Sequence, residues 1–240
     1  MSSELLQKAL EVHGGLDRWK CFASIQATIV TGGRLFDMKG TPQDTTPRRI
    51  TVATQREWAS VAPFGADDQV TDFTANRIAI EKLDGTIVKG RLHPSEHAEG
   101  EAVDAPWDAL DQAYFNGYAL WTYLTTPFHF AMPGFVAEEI DPWREEDELW
   151  RGLRIICPPN IASHSKRQDF YFDPDFLLRR HDYHVEASSG FAAAQYAFDS
   201  VIVQGITLPT KRRACMRDEC LLPIHDRLMV SIDLSDISLS

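Results

Sequence analysis

Alternation of apolar and polar residues with a period of two recurs along almost the whole chain, and one long stretch of helical spacing interrupts it. The first run shows the pattern. Cys21, Ala23, Ile25, Ala27 and Ile29 fall on one face and Ser24, Gln26 and Thr28 on the other, as in a half-buried strand. Further strands are predicted at about 48–54, 56–62, 69–74, 76–83 and 86–92. After the interruption they resume at about 135–140, 148–157, 167–172, 177–186, 191–203, 206–216 and 227–235. Asp84-Gly85, between Ile78-Ala79-Ile80 and Ile87-Val88, predicts a two-residue type I′ hairpin, because both residue types tolerate the positive φ such a turn requires. Roughly a dozen strands at short intervals around one long helix predict an α+β fold. Its core would be a large curved antiparallel β-sheet, since that many strands do not lie flat.

The interrupting helix is read from Trp107, Leu110, Tyr114, Gly117, Tyr118, Trp121 and Leu124, and it ends before Pro127. Asp104 and Asp108 sit at the positive end of its dipole. Leu5, Leu6, Ala9, Leu10 and Val12 predict a first helix stopped by Gly14-Gly15. A short helical turn capped by Asp17 would present Trp19 to the core. Residues 93–106, rich in proline and acidic side chains, predict an exposed loop. No linker, repeat or low-complexity tract divides the chain, so residues 1–240 are read as a single domain.

The net charge of −11 disfavours nucleic acid and anionic membrane surfaces, and the basic runs Arg179-Arg180 and Lys211-Arg212-Arg213 are too short to outweigh it. The N-terminus lacks the basic and apolar regions of a signal peptide, and no run is long enough for an integral membrane segment, which predicts a cytoplasmic protein. Cys21, Cys157, Cys215 and Cys220 contain no CxxC pair and are expected to be reduced, a Cys215–Cys220 bridge being the lesser alternative. Metal-ligand and nucleotide-cofactor spacings are missing, so no cofactor is expected. His181 and His184 fall on opposite faces of a strand, and Ser163-His164-Ser165 lacks the context of an activated nucleophile.

Several phrases resemble the LolA/LolB-like, lipoprotein-localisation superfamily, in particular cytoplasmic members of unassigned function. They are Ala9-Leu10-Glu11-Val12-His13-Gly14-Gly15, Gly32-Gly33 with Lys39-Gly40, and His164-Ser165 with Gln168-Asp169-Phe170-Tyr171-Phe172-Asp173. Leu178-Arg179-Arg180-His181-Asp182-Tyr183 and Gly205-Ile206-Thr207-Leu208-Pro209-Thr210 follow. The resemblance implies an unclosed barrel whose concave face, lidded by helices, encloses an apolar cavity.

The aromatic stripe of the long helix and the apolar segment after it supply the candidate ligand wall: Tyr114, Tyr118, Trp121, Phe128, His129, Phe130 and Met132. The alternative for each is ordinary core. Polar candidates come from the hairpin around Asp173-Pro174-Asp175-Phe176. If those four form its loop, Phe172 pairs with Leu177, Phe170 with Arg179, and Gln168 with His181. The inward face then carries Phe170, Phe172, Leu177, Tyr183 and Val185 together with Gln168, Arg179 and His181, with His164 nearby. A three-residue loop, implied by the glycine that related sequences place at the position of Phe176, would slip the register and turn Arg180, Asp182 and His184 inward instead.

Three functional readings follow. The first is binding of a hydrophobic small molecule, lipid-, polyketide- or terpenoid-like. The second is a cofactor-independent enzyme using His, Asp or Tyr for acid–base work, with His181, His164 and Tyr183 as catalytic candidates. The third is an interaction module that docks another protein or, as a homodimer, a second copy of the chain.

Overall fold

The computed structural model describes residues 3–98, 105–185 and 191–240. The strands are β1 (Ser24–Gly32), β2 (Arg48–Ala53), β3 (Ala59–Ala62), β4 (Gln69–Thr74), β5 (Arg77–Lys82) and β6 (Ile87–Leu92). They continue as β7 (Val136–Glu145), β8 (Glu148–Ile156), β9 (Arg167–Phe172), β10 (Leu178–Val185), β11 (Phe191–Val203), β12 (Ile206–Arg217) and β13 (Pro223–Leu239). All thirteen form one sheet in the order β6-β5-β4-β3-β2-β1-β13-β12-β11-β10-β9-β8-β7. The chain meanders out to β6, crosses over, and meanders back until β13 pairs antiparallel with β1. Strands β6 and β7 remain as edges, so the sheet is not closed.

The helices are α1 (Glu4–Val12), α2 (Leu16–Trp19), α3 (Arg34–Met38), α4 (Pro94–Ala98) and α5 (Ala109–Thr125), with a 3-10 turn at Phe128–Ala131. Helix α2 is capped by Gly15, and Asp17 lies inside its first turn rather than at the cap. Helix α4 occupies part of the stretch expected to be loop. Asp104 lies outside the described residues. Asp108 caps α5 by accepting from the Leu110 and Asp111 amides at 2.8 and 2.9 Å, while Asp111 accepts from the Asp108 amide. Arg91 on β6 clamps the same two carboxylates at 2.6 and 2.5 Å, fixing where the helix starts.

Helix α5 packs across β2 to β5 on the concave face. Gly117 allows the close approach. A Cβ there would lie 2.2 Å from the Phe73 ring of β4. Trp121 is fully buried and donates from Nε1 to the Ala53 carbonyl at 3.0 Å, which ties the helix to the end of β2.

Two hairpins differ from expectation. At Asp84-Gly85 the loop has three residues: Gly85 N bonds Lys82 O, Lys82 N bonds Thr86 O, and only Gly85 takes positive φ. Leu83 absorbs the extra position, so the turn is of the type I plus bulge kind. Between β9 and β10 the loop is also three residues, Pro174-Asp175-Phe176, closed by Asp173 N to Leu177 O at 3.0 Å. Phe176 takes φ 61°, the conformation glycine prefers, and Asp173 Oδ1 holds the loop by accepting from the Asp175 and Leu177 amides.

That loop slips the register by one, and a bulge at Arg179 slips it by one more. Leu178 faces Phe172, but Arg180 faces Tyr171 and His181 faces Phe170. Two slips restore the parity of the inward face. Gln168, Phe170, His181 and Tyr183 share it, while Arg179 is displaced outward and pairs with Asp173 at 2.6 Å. Arg180 and Asp182 lie on the convex face, yet both are buried. The Arg180 guanidinium sits 4.1 Å from the Trp143 ring centre and makes two bonds to Asp182 at 2.7 and 2.8 Å.

Candidate functional site

The interior between the second half of α5 and strands β9 to β12 is aromatic but holds a nest of polar groups. Tyr123 projects from α5, His164 from the segment between β8 and β9, Gln168 from β9, His181 and Tyr183 from β10, Gln195 from β11 and Arg212 from β12. Arg212 reaches the interior because alternation along β12 turns it inward and leaves Lys211 and Arg213 outside.

The hydroxyl of Tyr123 lies 2.7 Å from His164 Nε2 and 3.2 Å from the Tyr183 hydroxyl. The His164 ring stacks on Tyr183 at 4.1 Å, and the His181 ring on Phe170 at 4.0 Å. His181 Nε2 donates to Gln168 Oε1 at 2.6 Å, and the Gln168 amide donates to Ser165 O at 2.9 Å. Arg212 donates to Gln195 Oε1 at 2.9 Å and to the Tyr123 carbonyl at 2.8 Å, with its guanidinium 4.8 Å from the Tyr123 ring centre. Within this nest His164 Nδ1, His181 Nδ1 and Arg212 Nε are buried without a hydrogen-bond partner. Among the described residues no carboxylate pairs with Arg212.

Burial sets the protonation states. It lowers His164 and His129 to about 3, and it lowers His181 well below the ordinary range, with His164 and Arg212 nearby adding to the effect. It raises both Tyr123 and Tyr183. Arg212 is lowered by the same cause to about 10 and stays charged at neutral pH. The nest is therefore one buried cation among neutral donors and acceptors.

Of the residues expected to form the ligand wall, Tyr114 bonds the Ala75 carbonyl at 3.3 Å and packs on Phe73. Tyr118 lies edge-on to His164 at 5.0 Å, Phe128 stacks on Trp19 at 4.2 Å, and Phe130 meets Phe170 at 4.6 Å. His129 Nδ1 is 3.1 Å from the Thr125 hydroxyl, amid Trp121, Phe130 and Phe135. Met132 is half-buried at the edge of this cluster. These side chains pack on one another. Arg179, Gln168 and His181 are not brought together as a trio, because the bulge removes Arg179.

Sequence reasoning missed Tyr123, Gln195 and Arg212. Arg212 was legible in the alternation of β12, but the flanking Lys211 and Arg213 made the run read as surface.

Two hollows flank this interior. One, of about 270 Å3, opens at the N-terminal end of α5 between Pro42-Gln43-Asp44, Pro63–Asp67 and the helix residues Ala109 and Gln112, with Arg48 among its walls. The other, of about 450 Å3, lies on the convex face over Trp143, Tyr171, Arg154 and Asp169. None of the ligand residues expected from the sequence lines either.

No protein-family model matches the sequence, and no curated protein matches it. Solved structures do share the fold. A DUF1329 family protein from Desulfovibrio piger superposes with a TM-score of 0.55 at 9% identity, covering 99% of this chain and 94% of that one. A LolA superfamily protein from Nitrosomonas europaea gives 0.54 at 12% identity, with 98% and 92% covered. An outer membrane lipoprotein-sorting protein domain from Vibrio parahaemolyticus gives 0.59 at 8% identity, with 99% and 91% covered. The fold is LolA-like, an open antiparallel sheet with helices on its concave side.

Proposed function

We propose that the chain binds an apolar small molecule, lipid-, polyketide- or terpenoid-like, between the concave face of the sheet and α5. The observation that carries this is the nest around Arg212. A buried charge gains a core little stability, since apolar replacements of buried ion pairs are often neutral or stabilising. Among the described residues the cation has no ion-pair partner, and unpartnered nitrogens sit beside it in aromatic surroundings. An apolar enclosure with a few convergent polar groups is the usual build of a small-molecule site. Helix α5 and the turn Phe128–Ala131 pack closely on the sheet, so admitting the ligand requires them to part. The shared fold with a lipoprotein-sorting domain supports an apolar ligand. The four free cysteines fit work in the cytoplasm.

The 2.7 Å contact between Tyr123 and His164 favours a second reading, acid–base catalysis on the bound molecule. General acids and bases work best with pKa values near the operating pH, whereas burial drives this histidine and this tyrosine away from it. Binding is the better account.

The test is native mass spectrometry of the purified chain titrated with dodecanol, followed in parallel by tryptophan fluorescence. One equivalent should bind saturably. Failure to bind any apolar probe up to its solubility limit overturns the reading.

A further inference from the structure

The hollow at the N-terminal end of α5 has a cation in its wall. Arg48 is 3% exposed, and burial lowers its pKa. One of its amino groups donates to the Thr31 hydroxyl, while Nε has no partner. No carboxylate lies within ion-pair distance of it among the described residues. The adjoining wall is a chain of amides: Gln112 donates to Gln43 at 2.7 Å, and Gln43 donates to Asn116 at 3.3 Å. The amide nitrogen of Asn116 is buried and unpartnered. Two buried donors, Arg48 Nε and Asn116 Nδ2, are thus left unmet, and an unmet buried donor is costly, more so when charged.

The rim has the opposite sign. Asp44 and Asp67 line the opening and are exposed. Asp44 is partly engaged, accepting from the amide and hydroxyl of Thr46 at 2.8 and 2.6 Å. Two exposed carboxylates, screened by water, tolerate a single negative charge passing between them better than a double one. Ala109 and Gln112 bring the first turn of α5 to the side of the hollow. Alternation along β2 puts Arg48, Ile50 and Val52 on the concave face, and β2 ends at Ala53, whose carbonyl holds Trp121.

From this arrangement we infer that the ligand is a monocarboxylate with a long apolar tail, its acid group held by Arg48 at the mouth and its tail laid along Ile50 and Val52 beneath α5. This rests on the reading that an apolar molecule occupies the concave face. Arg48 supplies two N–H donors to one carboxylate once Nε is engaged, the fork geometry that lysine lacks.

The experiment compares dodecanoate, dodecanol and dodecyl phosphate on the wild-type chain and on Arg48→Gln. Dodecanoate should bind wild type roughly tenfold or more tighter than dodecanol, as a charge-assisted hydrogen bond supplies. Dodecyl phosphate should bind more weakly than dodecanoate. Arg48→Gln should lose the preference and keep dodecanol affinity. Equal binding of acid and alcohol, with Arg48→Gln unchanged, overturns the inference and leaves apolar binding standing. Dodecyl phosphate matching dodecanoate overturns the monocarboxylate assignment. If no probe binds, the underlying reading fails and this one with it. A measurement on wild type alone guards against a variant that does not fold. The carbon-13 resonance of carboxyl-labelled dodecanoate should show the bound acid ionised to a lower pH than the free acid. A bound pKa equal to or above the free value contradicts an Arg48 contact.

Discussion

Acidification from pH 7 to pH 5.5 should destabilise the fold steeply, because four histidines among the described residues are buried neutral. His13 is lowered to about 4 and His129 and His164 to about 3, while His181 lies well below its ordinary value, burial being the main cause in each. A base whose pKa is depressed by folding stays neutral in the fold but takes a proton in the unfolded chain. The unfolded state therefore gains relative to the fold as pH drops through about 6.5. Each such histidine costs little at pH 7 and roughly 1 kcal/mol or somewhat more at pH 5.5, so the four together remove about 5 kcal/mol over the interval. Glu57 acts the other way. Burial raises it to about 8, so it is protonated in the fold and its contribution grows by about 2 kcal/mol over the same interval. Asp182, also raised by burial, acts in the same sense as Glu57. The net loss is about 3 kcal/mol, which moves a urea midpoint down by about 1 M for a typical m-value. Urea unfolding followed by tryptophan fluorescence at the two pH values measures it. In Glu57→Gln the loss should grow towards about 5 kcal/mol, because the opposing term is gone. A midpoint that stays level or rises at pH 5.5 refutes the assignment of four neutral buried histidines.

Gly117→Ala should cost about 1–3 kcal/mol despite the better helix propensity of alanine, because the new Cβ meets the Phe73 ring at 2.2 Å; thermal melting reads it, and an unchanged or raised Tm contradicts the packing. Trp121→Ala should cost about 3–5 kcal/mol, the range for a buried aromatic, since its indole is fully buried and bonded to Ala53; a loss under about 1 kcal/mol in urea unfolding would mean that the indole lines open space instead.

The strands were legible because each alternates over one buried face, and the short connections leave few choices of partner. The predicted 48–54 and 69–74 correspond to β2 and β4, and the predicted 107–124 to α5 at Ala109–Thr125. Hairpin geometry was harder to read, because it depends on which residue accepts a positive φ. Phe176 accepts one without being glycine, and the bulge at Arg179 then cancels the slip that its loop introduces. Composition could not show both slips, so Leu177 and Arg179 were expected on the inward face with Gln168, Phe170, His181 and Tyr183, whereas Leu178 faces Phe172 and Arg179 turns to Asp173. Arg180 and Arg212 were hidden for another reason. A basic pair or triplet reads as a solvated surface, yet Arg180 is shielded by Trp143, Tyr171 and Tyr196, residues remote in sequence, and Arg212 by α5. Such long-range enclosure leaves no local signature.

Photoaffinity labelling tests directly where the ligand lies. A long-chain alcohol carrying a diazirine midway along its tail is bound, irradiated and mapped by peptide sequencing. Crosslinks should fall on α5, Ala109–Thr125, and on the inward positions of β2 and β9 to β12, and excess dodecanol should suppress them. Saturable labelling confined to the convex face around Trp143 and Tyr171, with α5 unmarked, would contradict binding between the sheet and the helix.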